Sequence, residues 1–288
     1  MKLPSNISQQ VKLALQEDIG SGDVTADLIP AHNHSEARVI CRDAAVLSGV
    51  AWFNEVFKQI DAAVRITWAF QDGDSIPANS TLCTLTGKAR SLLSGERAAL
   101  NFVQTLSATA TLTQQFVKAI EGTRSQILDT RKTLPNLRDA QKYAVLCGGG
   151  KNHRIGLYDM ILIKENHIMA AGSISKAIQQ ARQLHPEIRV EVETENLDEF
   201  RQASKAGADI IMLDNFDLDT MRQAVAENIA LHNTRNDANS NTKILLEASG
   251  GVNLQSVRSI AETGVDFISV GQITKDIHAV DLSMRFKE

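Results

Sequence analysis

The second half of the chain alternates short apolar runs with gaps long enough to hold a helix, and this alternation constrains the fold most strongly. The six runs cover residues 126–128, 160–163, 190–192, 210–213, 244–246 and 267–270. Apolar residues at helical spacing fill gaps such as 174–184 and 218–229. Strands that alternate with helices predict parallel βα units. Because the runs show little polar alternation, we expect strands that are buried on both faces.

The first part of the chain, roughly 105 residues, lacks this repeat. Residues 7–16 have helical periodicity, with Ser5 as the expected N-cap. Segments 35–49 and 64–86 are rich in β-branched residues punctuated by Gly and Asp, which predicts strands. Residues 94–120 predict one or two long helices. The pattern as a whole is typical of an α+β domain.

Charged or small polar residues follow each apolar run of the second half. They stand at Asp129–Arg131, at 164–166, at 193–195, at 214–215, at 247–251 and at 271–272. One such residue alone fits a helix N-cap equally well. Six in succession predict a functional site, because the carboxyl ends of parallel strands in a βα barrel converge on one mouth.

The expected mouth carries cations and anions. Arg131, Lys132, Lys164 and the pair His153-Arg154 form the cationic set, and such a set suits a polyanionic substrate, although each cation alone fits a solvated surface. Glu193 and Asp214 suit Mg²⁺ or ribose hydroxyls, with salt bridges to the cations as the alternative. Ser249-Gly250-Gly251 and Gly271 suit a phosphate, or an ordinary tight turn.

Several function classes find no support in the sequence. The formal net charge is -4 and no Lys/Arg-rich tract occurs, so we expect no nucleic-acid partner. We expect no membrane span and no secretory signal, because no apolar run of about 18 residues occurs. The GGGKNHR segment lacks P-loop spacing. Cys41, Cys83 and Cys147 predict reduced thiols in a cytoplasmic protein.

The longest motif is LDTRKTLPNLRDAQKYAVLCGGGKNHRIGLYDMILIKENHI, residues 128–168. It resembles the signature stretch of the quinolinate phosphoribosyltransferases. ALQEDIGSGDVTA, GERAALNFVQTLSATAT, VEVETENL, ADIIMLDNF, LLEASGGV and TGVDFISVGQIT resemble that family in the same order. The resemblance implies phosphoribosyl transfer from phosphoribosyl pyrophosphate to quinolinate with decarboxylation, giving nicotinate mononucleotide, pyrophosphate and carbon dioxide in NAD biosynthesis.

The resemblance also implies an architecture of the α/β class. An N-terminal α+β sandwich domain would occupy residues 1–108, completed by the tail 275–288. An open βα barrel of about seven parallel strands would occupy residues 109–274. The expected assembly is a homodimer, or a higher oligomer of dimers, in which the first domain of one subunit caps the barrel mouth of the other.

Residue roles carry over by motif position. Arg97 would reach the quinolinate of the neighbouring subunit. The substrate carboxylates would be held by Arg131, Lys132, His153, Arg154 and Lys164, with Thr130 beside them. Glu193 and Asp214 would bind ribose hydroxyls and Mg²⁺, the one implied cofactor. The 5′-phosphate would be held by Ser249, Gly250, Gly251 and Gly271. The residues expected to act in catalysis are Lys132, Lys164, Glu193 and Asp214.

Two departures from the family pattern stand out. Asn136 occupies a position where many members have a turn glycine, and the turn should survive because Asn tolerates a left-handed backbone. The segment 231–243 is longer and more polar than expected, which predicts a mobile surface loop without an assigned function.

Two other enzymes compete with this interpretation. A phosphoribosyltransferase for nicotinate needs fewer cations, because its substrate has one carboxylate. A Schiff-base aldolase would use Lys164 as nucleophile, its pKa lowered by the neighbouring arginines. A non-enzymatic binding module is the third alternative, although simple capture does not require both charge signs at six strand ends.

Overall fold

The computed structural model describes residues 1–234 and 243–287. They form two compact units. The first contains Met1–Gln114, Lys132–Gly150 and Ile273–Glu288, and the second contains Gln115–Arg131 and Lys151–Gln272. The boundaries expected from the sequence, 1–108 with 275–288 and 109–274, stay a prediction. Residues 235–242, the centre of the polar segment 231–243, lie outside the described residues.

The helices and strands follow in chain order, with one 3-10 turn at Ala26–Leu28. The elements of the first half of the chain are α1 (Ile7–Ile19), β1 (His34–Cys41), β2 (Ala45–Val46), α2 (Val50–Ile60), β3 (Arg65–Trp68), β4 (Ser75–Ile76), β5 (Ser80–Lys88), α3 (Ala89–Ala119), β6 (Gln126–Leu128) and α4 (Arg138–Cys147). The remaining elements are β7 (Ile161–Ile163), α5 (Glu165–Ala171), α6 (Ile174–Leu184), β8 (Val190–Thr194), α7 (Leu197–Ala206), β9 (Ile210–Asp214), α8 (Leu218–Thr234), β10 (Leu245–Ser249), α9 (Val257–Ala261), β11 (Phe267–Ser269), α10 (Gln272–Lys275) and β12 (Leu282–Phe286).

The first unit is built on an antiparallel sheet with strand order β12-β1-β5-β3. Helix α2 packs an aromatic face into its core, with Trp52, Phe53 and Phe57 almost fully buried. The ring of Phe53 meets that of Trp68 edge-on, with centroids 5.1 Å apart. A side chain at Gly95 would come within 2.6 Å of Phe57. Glycine at this position therefore lets α3 approach α2 closely.

The sequence predicted α1 and α3 of this unit but assigned no helix to α2 or α4, and it placed one cap wrongly. Helix α1 begins at Ile7 as predicted, but its N-cap is Asn6 rather than Ser5. The Asn6 side chain makes no capping bond and donates from Nδ2 to Asp139 at 2.9 Å, so a tertiary contact has replaced the local one. The predicted segment 94–120 is one long helix, α3, which ends at Ala119. Asn136 adopts φ 60°, which confirms that Asn supports the left-handed turn.

The second unit contains a parallel sheet with strand order β6-β11-β10-β9-β8-β7. The six apolar runs of the sequence are its six strands, which confirms the α/β class and the βα arrangement. The seventh strand implied by the resemblance does not occur in this sheet within the described residues. The order runs around a barrel that is open between β6 and β7, because the strand pairings given by the described part of the chain do not join these two.

Local signals at the strand-to-helix turns fix where the helices of the second unit begin and end. Ser173 caps α6 by accepting the Lys176 N–H, and Asn196 caps α7 by accepting the Glu199 N–H at 2.9 Å. Gly172 and Gly207 end α5 and α7 in the left-handed conformation. Within the described residues, none of the helices combines the length and apolarity needed to cross a membrane.

Candidate active site

The carboxyl ends of β8, β9 and β10 lie side by side. Asp214, the last residue of β9, is the register partner of Ser249, the last residue of β10. Thr194, the last residue of β8, is paired with Leu213. Asn215 then donates its backbone N–H to the Ser249 carbonyl at 3.0 Å. The polar residues that the sequence placed at these ends therefore share one edge of the sheet.

Glu193 and Asp214, the upper carboxylates, stand at this edge. Glu193 accepts a hydrogen bond from Lys164 Nζ and forms an ion pair with it. Asp214 accepts from the side-chain amide of Asn215 at 2.8 Å. The Lys164 side chain remains 47% exposed and the Glu193 side chain 19%. Both upper carboxylates keep oxygen atoms suited to Mg²⁺ or sugar hydroxyls, so the residues present fit the metal expected from the sequence.

Glu191 and Glu247, the lower carboxylates, lie deeper on the same face. Alternate residues of a strand point to the same side, so Glu191 lies below Glu193 and Glu247 lies below Ser249. Both glutamates are fully buried. Burial raises the pKa of each, and the charge of Glu191 raises the pKa of Glu247 further. The sequence interpretation missed Glu191, although a glutamate inside the buried run VEVET was a visible signal.

His153 lies between the lower carboxylates. Its Nε2 is 2.9 Å from Glu191 Oε2 and 3.5 Å from Glu247 Oε2. Its Nδ1 accepts the backbone N–H of Arg154 at 2.8 Å. The ring proton therefore lies on Nε2, because an atom that accepts a hydrogen bond carries no proton. His153 thus differs from the lysines and arginines with which the sequence grouped it.

The same three side chains are close enough to suggest a metal site, since their candidate ligand atoms lie within 4.8 Å of one another. Metal ligation needs a lone pair on the histidine nitrogen that faces the carboxylates. That nitrogen is Nε2, which holds the proton. The upper carboxylates are therefore the better candidates for a cation.

Arg131 and Arg154 form the cationic part of the second unit's site. Burial lowers the pKa of Arg154, and the positive charge of Arg131 lowers it further. Arg154 Nη1 donates to the Met160 carbonyl at 3.4 Å. Thr130 is half-buried directly before Arg131. Two guanidinium groups that repel each other make this region attractive to a substrate with more than one negative charge.

Gly250 and Gly251 form a turn, and only glycine fits at Gly250. Their φ values are 94° and 60°. A side chain at Gly250 would meet Asn215 Oδ1 at 2.1 Å and the Asn215 backbone nitrogen at 2.9 Å. The turn directly follows Ser249, and Gly271 follows the end of β11. Such an exposed backbone turn can present N–H groups to a phosphate.

The sequence-predicted residues divide between the two units. The second unit contains Thr130, Arg131, His153, Arg154, Lys164, Glu193, Asp214, Ser249, Gly250, Gly251 and Gly271. Lys132 and Arg97 belong to the first unit. Lys132 is exposed, and its carbonyl accepts from Thr274 Oγ1 at 2.8 Å. Arg97 is exposed on α3. The individual roles expected of all these residues stay predictions.

Fold and site together define a βα-barrel enzyme, and comparison with known proteins specifies its family. A family model described as quinolinate phosphoribosyl transferase, N-terminal domain, matches residues 23–107. The model for the C-terminal domain of the same family matches residues 109–285. The chain therefore belongs to the quinolinate phosphoribosyl transferase family.

Individual relatives agree along nearly the whole chain. A probable nicotinate-nucleotide pyrophosphorylase (carboxylating) of Bacillus subtilis (strain 168) is 41% identical over 269 residues, which is 93% of this chain and 89% of the relative. A mitochondrial quinolinate phosphoribosyltransferase (decarboxylating) 2b of Nicotiana tabacum is 38% identical over 299 residues, covering 97% and 82%. The solved nicotinate-nucleotide pyrophosphorylase of Francisella tularensis superposes with TM-score 0.93 at 47% identity, covering 99% and 98%.

Proposed function

We propose that this protein transfers the phosphoribosyl group of phosphoribosyl pyrophosphate to quinolinate and decarboxylates the product to nicotinate mononucleotide. The observation that carries the proposal is the juxtaposition of two interacting arginines, Arg131 and Arg154, with carboxylates and a glycine turn at neighbouring strand ends. The arginines suit a dicarboxylate, and the turn suits a sugar phosphate. The names of the relatives support the same reaction.

The reaction needs positioning and electrostatics more than a protein nucleophile. The ring nitrogen of quinolinate attacks the anomeric carbon of the ribose as pyrophosphate leaves. Arg131, Arg154 and Lys164 hold the two carboxylates, and the upper carboxylates orient the ribose hydroxyls and stabilise positive charge that develops on the sugar. The bond to the ribose makes the ring nitrogen cationic. The adjacent carboxylate then leaves as carbon dioxide, and the ring cation stabilises the remaining carbanion until a proton from water adds to that carbon and gives nicotinate mononucleotide.

Mg²⁺ is the proposed cofactor. Glu193 and Asp214 would hold it, directly or through water, in keeping with the few protein ligands that this ion takes. When bound, the ion would neutralise charge on the pyrophosphate leaving group. The oxygen donors of the two residues support this assignment, and the ion pair of Glu193 with Lys164 indicates that the carboxylate is available to a cationic partner.

The proposal extends to the assembly and its location. The protein would act as a homodimer in the cytoplasm, with Arg97 of each subunit completing the quinolinate site of the other. Exposure of Arg97 on α3 leaves it accessible to a second copy. The three cysteines are free and buried, which supports a reducing compartment.

The aldolase alternative loses its main support in the geometry of Lys164. A Schiff-base lysine needs a free amine, whereas Lys164 Nζ is engaged by Glu193. The nicotinate alternative requires only one carboxylate partner, which would leave one of the two arginines without a ligand charge.

The direct test is carbon dioxide release by purified protein given quinolinate, phosphoribosyl pyrophosphate and Mg²⁺, with nicotinate as a parallel substrate. We expect release that depends on all three components. Consumption of nicotinate without carbon dioxide release would discard the decarboxylation and retain the transfer. Inactivity with both substrates would overturn the proposal.

The shared site has a separate test. Arg97→Ala and Arg131→Ala proteins should each lose most of their activity, and mixing them should restore part of it, because each heterodimer contains one intact site. Fluorescence exchange between labelled subunits checks that the heterodimers form. Subunit exchange without recovered activity would contradict the trans role of Arg97.

A further inference from the structure

The segment that carries His153 and Arg154 has no regular secondary structure, yet side-chain acceptors hold four consecutive backbone N–H groups. Asp129 Oδ1 accepts the His153 N–H at 2.8 Å, and His153 Nδ1 accepts the Arg154 N–H at 2.8 Å. Asp159 accepts the N–H groups of residues 155 and 156 at 2.7 and 2.9 Å. Helices and strands are held by backbone bonds, whereas this segment depends on specific side chains.

Asp129 starts this series. It is fully buried and follows the end of β6 directly. Its second oxygen, Oδ2, accepts from the Asn152 side-chain amide at 2.7 Å, across 23 positions in the sequence. Its backbone N–H donates to the Lys151 carbonyl at 3.1 Å. One residue therefore fastens the segment 151–153 to the end of β6 through both its main chain and its carboxylate.

The consequence concerns the two arginines of the site. Arg131 lies two residues after Asp129, and Arg154 lies one residue after His153. Their guanidinium charges repel, as the lowered pKa of Arg154 reflects. A flexible connection would let the two side chains separate. A buried carboxylate that binds both chain segments keeps them together, because charge-assisted hydrogen bonds are about twice as strong as neutral ones.

We propose that Asp129 is a positioning residue that sets the spacing of Arg131 and Arg154 and thereby the affinity for a dicarboxylate ligand. This inference rests on the proposed function for the identity of that ligand. Asp129 does not touch the substrate. It acts through the backbone at residues 151–153, and Asn152 supports it from the other side.

The test compares three variants of the full-length protein. Asp129→Asn keeps the shape of the side chain but replaces one acceptor oxygen by a donor and removes the charge. Asn152→Ala removes the hydrogen bond from the Asn152 amide to Asp129 Oδ2. The matched control is Asp209→Asn, because Asp209 also accepts a strand backbone N–H, that of Val190 at 2.6 Å, but at the opposite end of β8.

Steady-state KM for each substrate, quinolinate binding by calorimetry and the melting temperature are measured for all three. For Asp129→Asn we expect the KM and Kd for quinolinate to rise about 10-fold or more. This rise corresponds to the free energy of one charge-assisted hydrogen bond. The KM for phosphoribosyl pyrophosphate should stay within about twofold. Asn152→Ala should show the same pattern with a smaller rise, and Asp209→Asn should lose stability without a change in either KM.

Two results would overturn the proposal. One is unchanged quinolinate binding in folded Asp129→Asn, and the other is an equal rise of both KM values. If Asp129→Asn does not fold, Asn152→Ala decides by the same criteria. A wild-type protein that binds quinolinate but releases no carbon dioxide would contradict the proposed reaction, while the binding measurements still judge the role of Asp129.

Discussion

Glu193 and Glu191 are two residues apart on one strand and point to the same side, yet they differ in every property that matters for function. Glu193 is partly exposed and paired with Lys164, whereas Glu191 is fully buried against His153. The same contrast separates Asp214 from Glu247 on the neighbouring strands. A carboxylate at the strand end is available to a substrate or metal. A carboxylate two residues earlier in the strand is buried and belongs to the structure beneath the site.

The largest effect should follow the loss of a guanidinium at the strand ends. Arg131→Ala removes a charged partner of the proposed dicarboxylate, which is worth roughly 1.5–3 kcal/mol, or about 10- to 150-fold in kcat/KM. The matched control is Arg182→Ala, because Arg182 pairs with Asp209 at the opposite end of the same sheet. Equal losses of kcat/KM in both variants would mean that Arg131 acts on stability alone.

A smaller effect should separate the upper from the lower carboxylates. Glu193→Gln removes a charge that faces the proposed ribose and metal, so we expect kcat/KM to fall about 10-fold. Glu191→Gln should cost less than about threefold, because a neutral glutamine resembles the protonated acid that burial favours. Parallel kinetics at saturating Mg²⁺ decide the matter. A larger loss of kcat/KM in Glu191→Gln than in Glu193→Gln would contradict the different roles of the upper and lower carboxylates.

The smallest effect concerns the pH dependence of stability. The pKa of Glu247 is raised by burial and by Glu191. A raised pKa in the folded state means that the folded protein binds the proton more tightly than the unfolded chain. Stability from this group is therefore complete below the ordinary carboxyl pKa of about 4.3 and is lost as the pH rises through the folded-state pKa.

Glu247→Gln should flatten this dependence, because glutamine does not titrate. Chemical unfolding from pH 5 to pH 8 should show the variant gaining on the wild type by up to about 1.4 kcal/mol per pH unit between the ordinary carboxyl pKa of the unfolded chain and the raised pKa of folded Glu247. Asp209→Asn, at the other end of the sheet, is the control for a general pH effect. Parallel curves for the wild type and Glu247→Gln would contradict the raised pKa.

Sequence patterns predicted the barrel strands because the physics that forms them is local. Six apolar β-rich runs became six parallel strands, and gaps with helical periodicity became α6 and α8. The cap of α1 was predicted wrongly, because Asn6 is held by Asp139, a residue distant in sequence. Capping preferences describe isolated helices, and a tertiary hydrogen bond can override them.

The candidate site was predictable only in part for the same reason. Residues directly after a strand could be assigned to the mouth, since parallel strands end at one edge. Glu191 escaped notice, and Glu247 was assigned to the mouth without its burial, because the burial of both depends on neighbouring strands. The accepting role of His153 Nδ1 depends on its own ring orientation. None of these features leaves a periodic signal in the chain.

The order of strands has a consequence for biosynthesis. β6 pairs with β11, and β1 pairs with β12. In each unit, a strand that is synthesised early therefore pairs with one that is synthesised near the end of the chain. Residues 267–269 must therefore be synthesised before β6, the strand that precedes Arg131, can pair with β11. Residues 282–286 must be synthesised before the first sheet is complete. Neither sheet can finish during early translation, and pairing over such sequence separations is slow. Until then each sheet has a strand edge without its partner, and such unpaired edges are the sites at which partly folded chains aggregate.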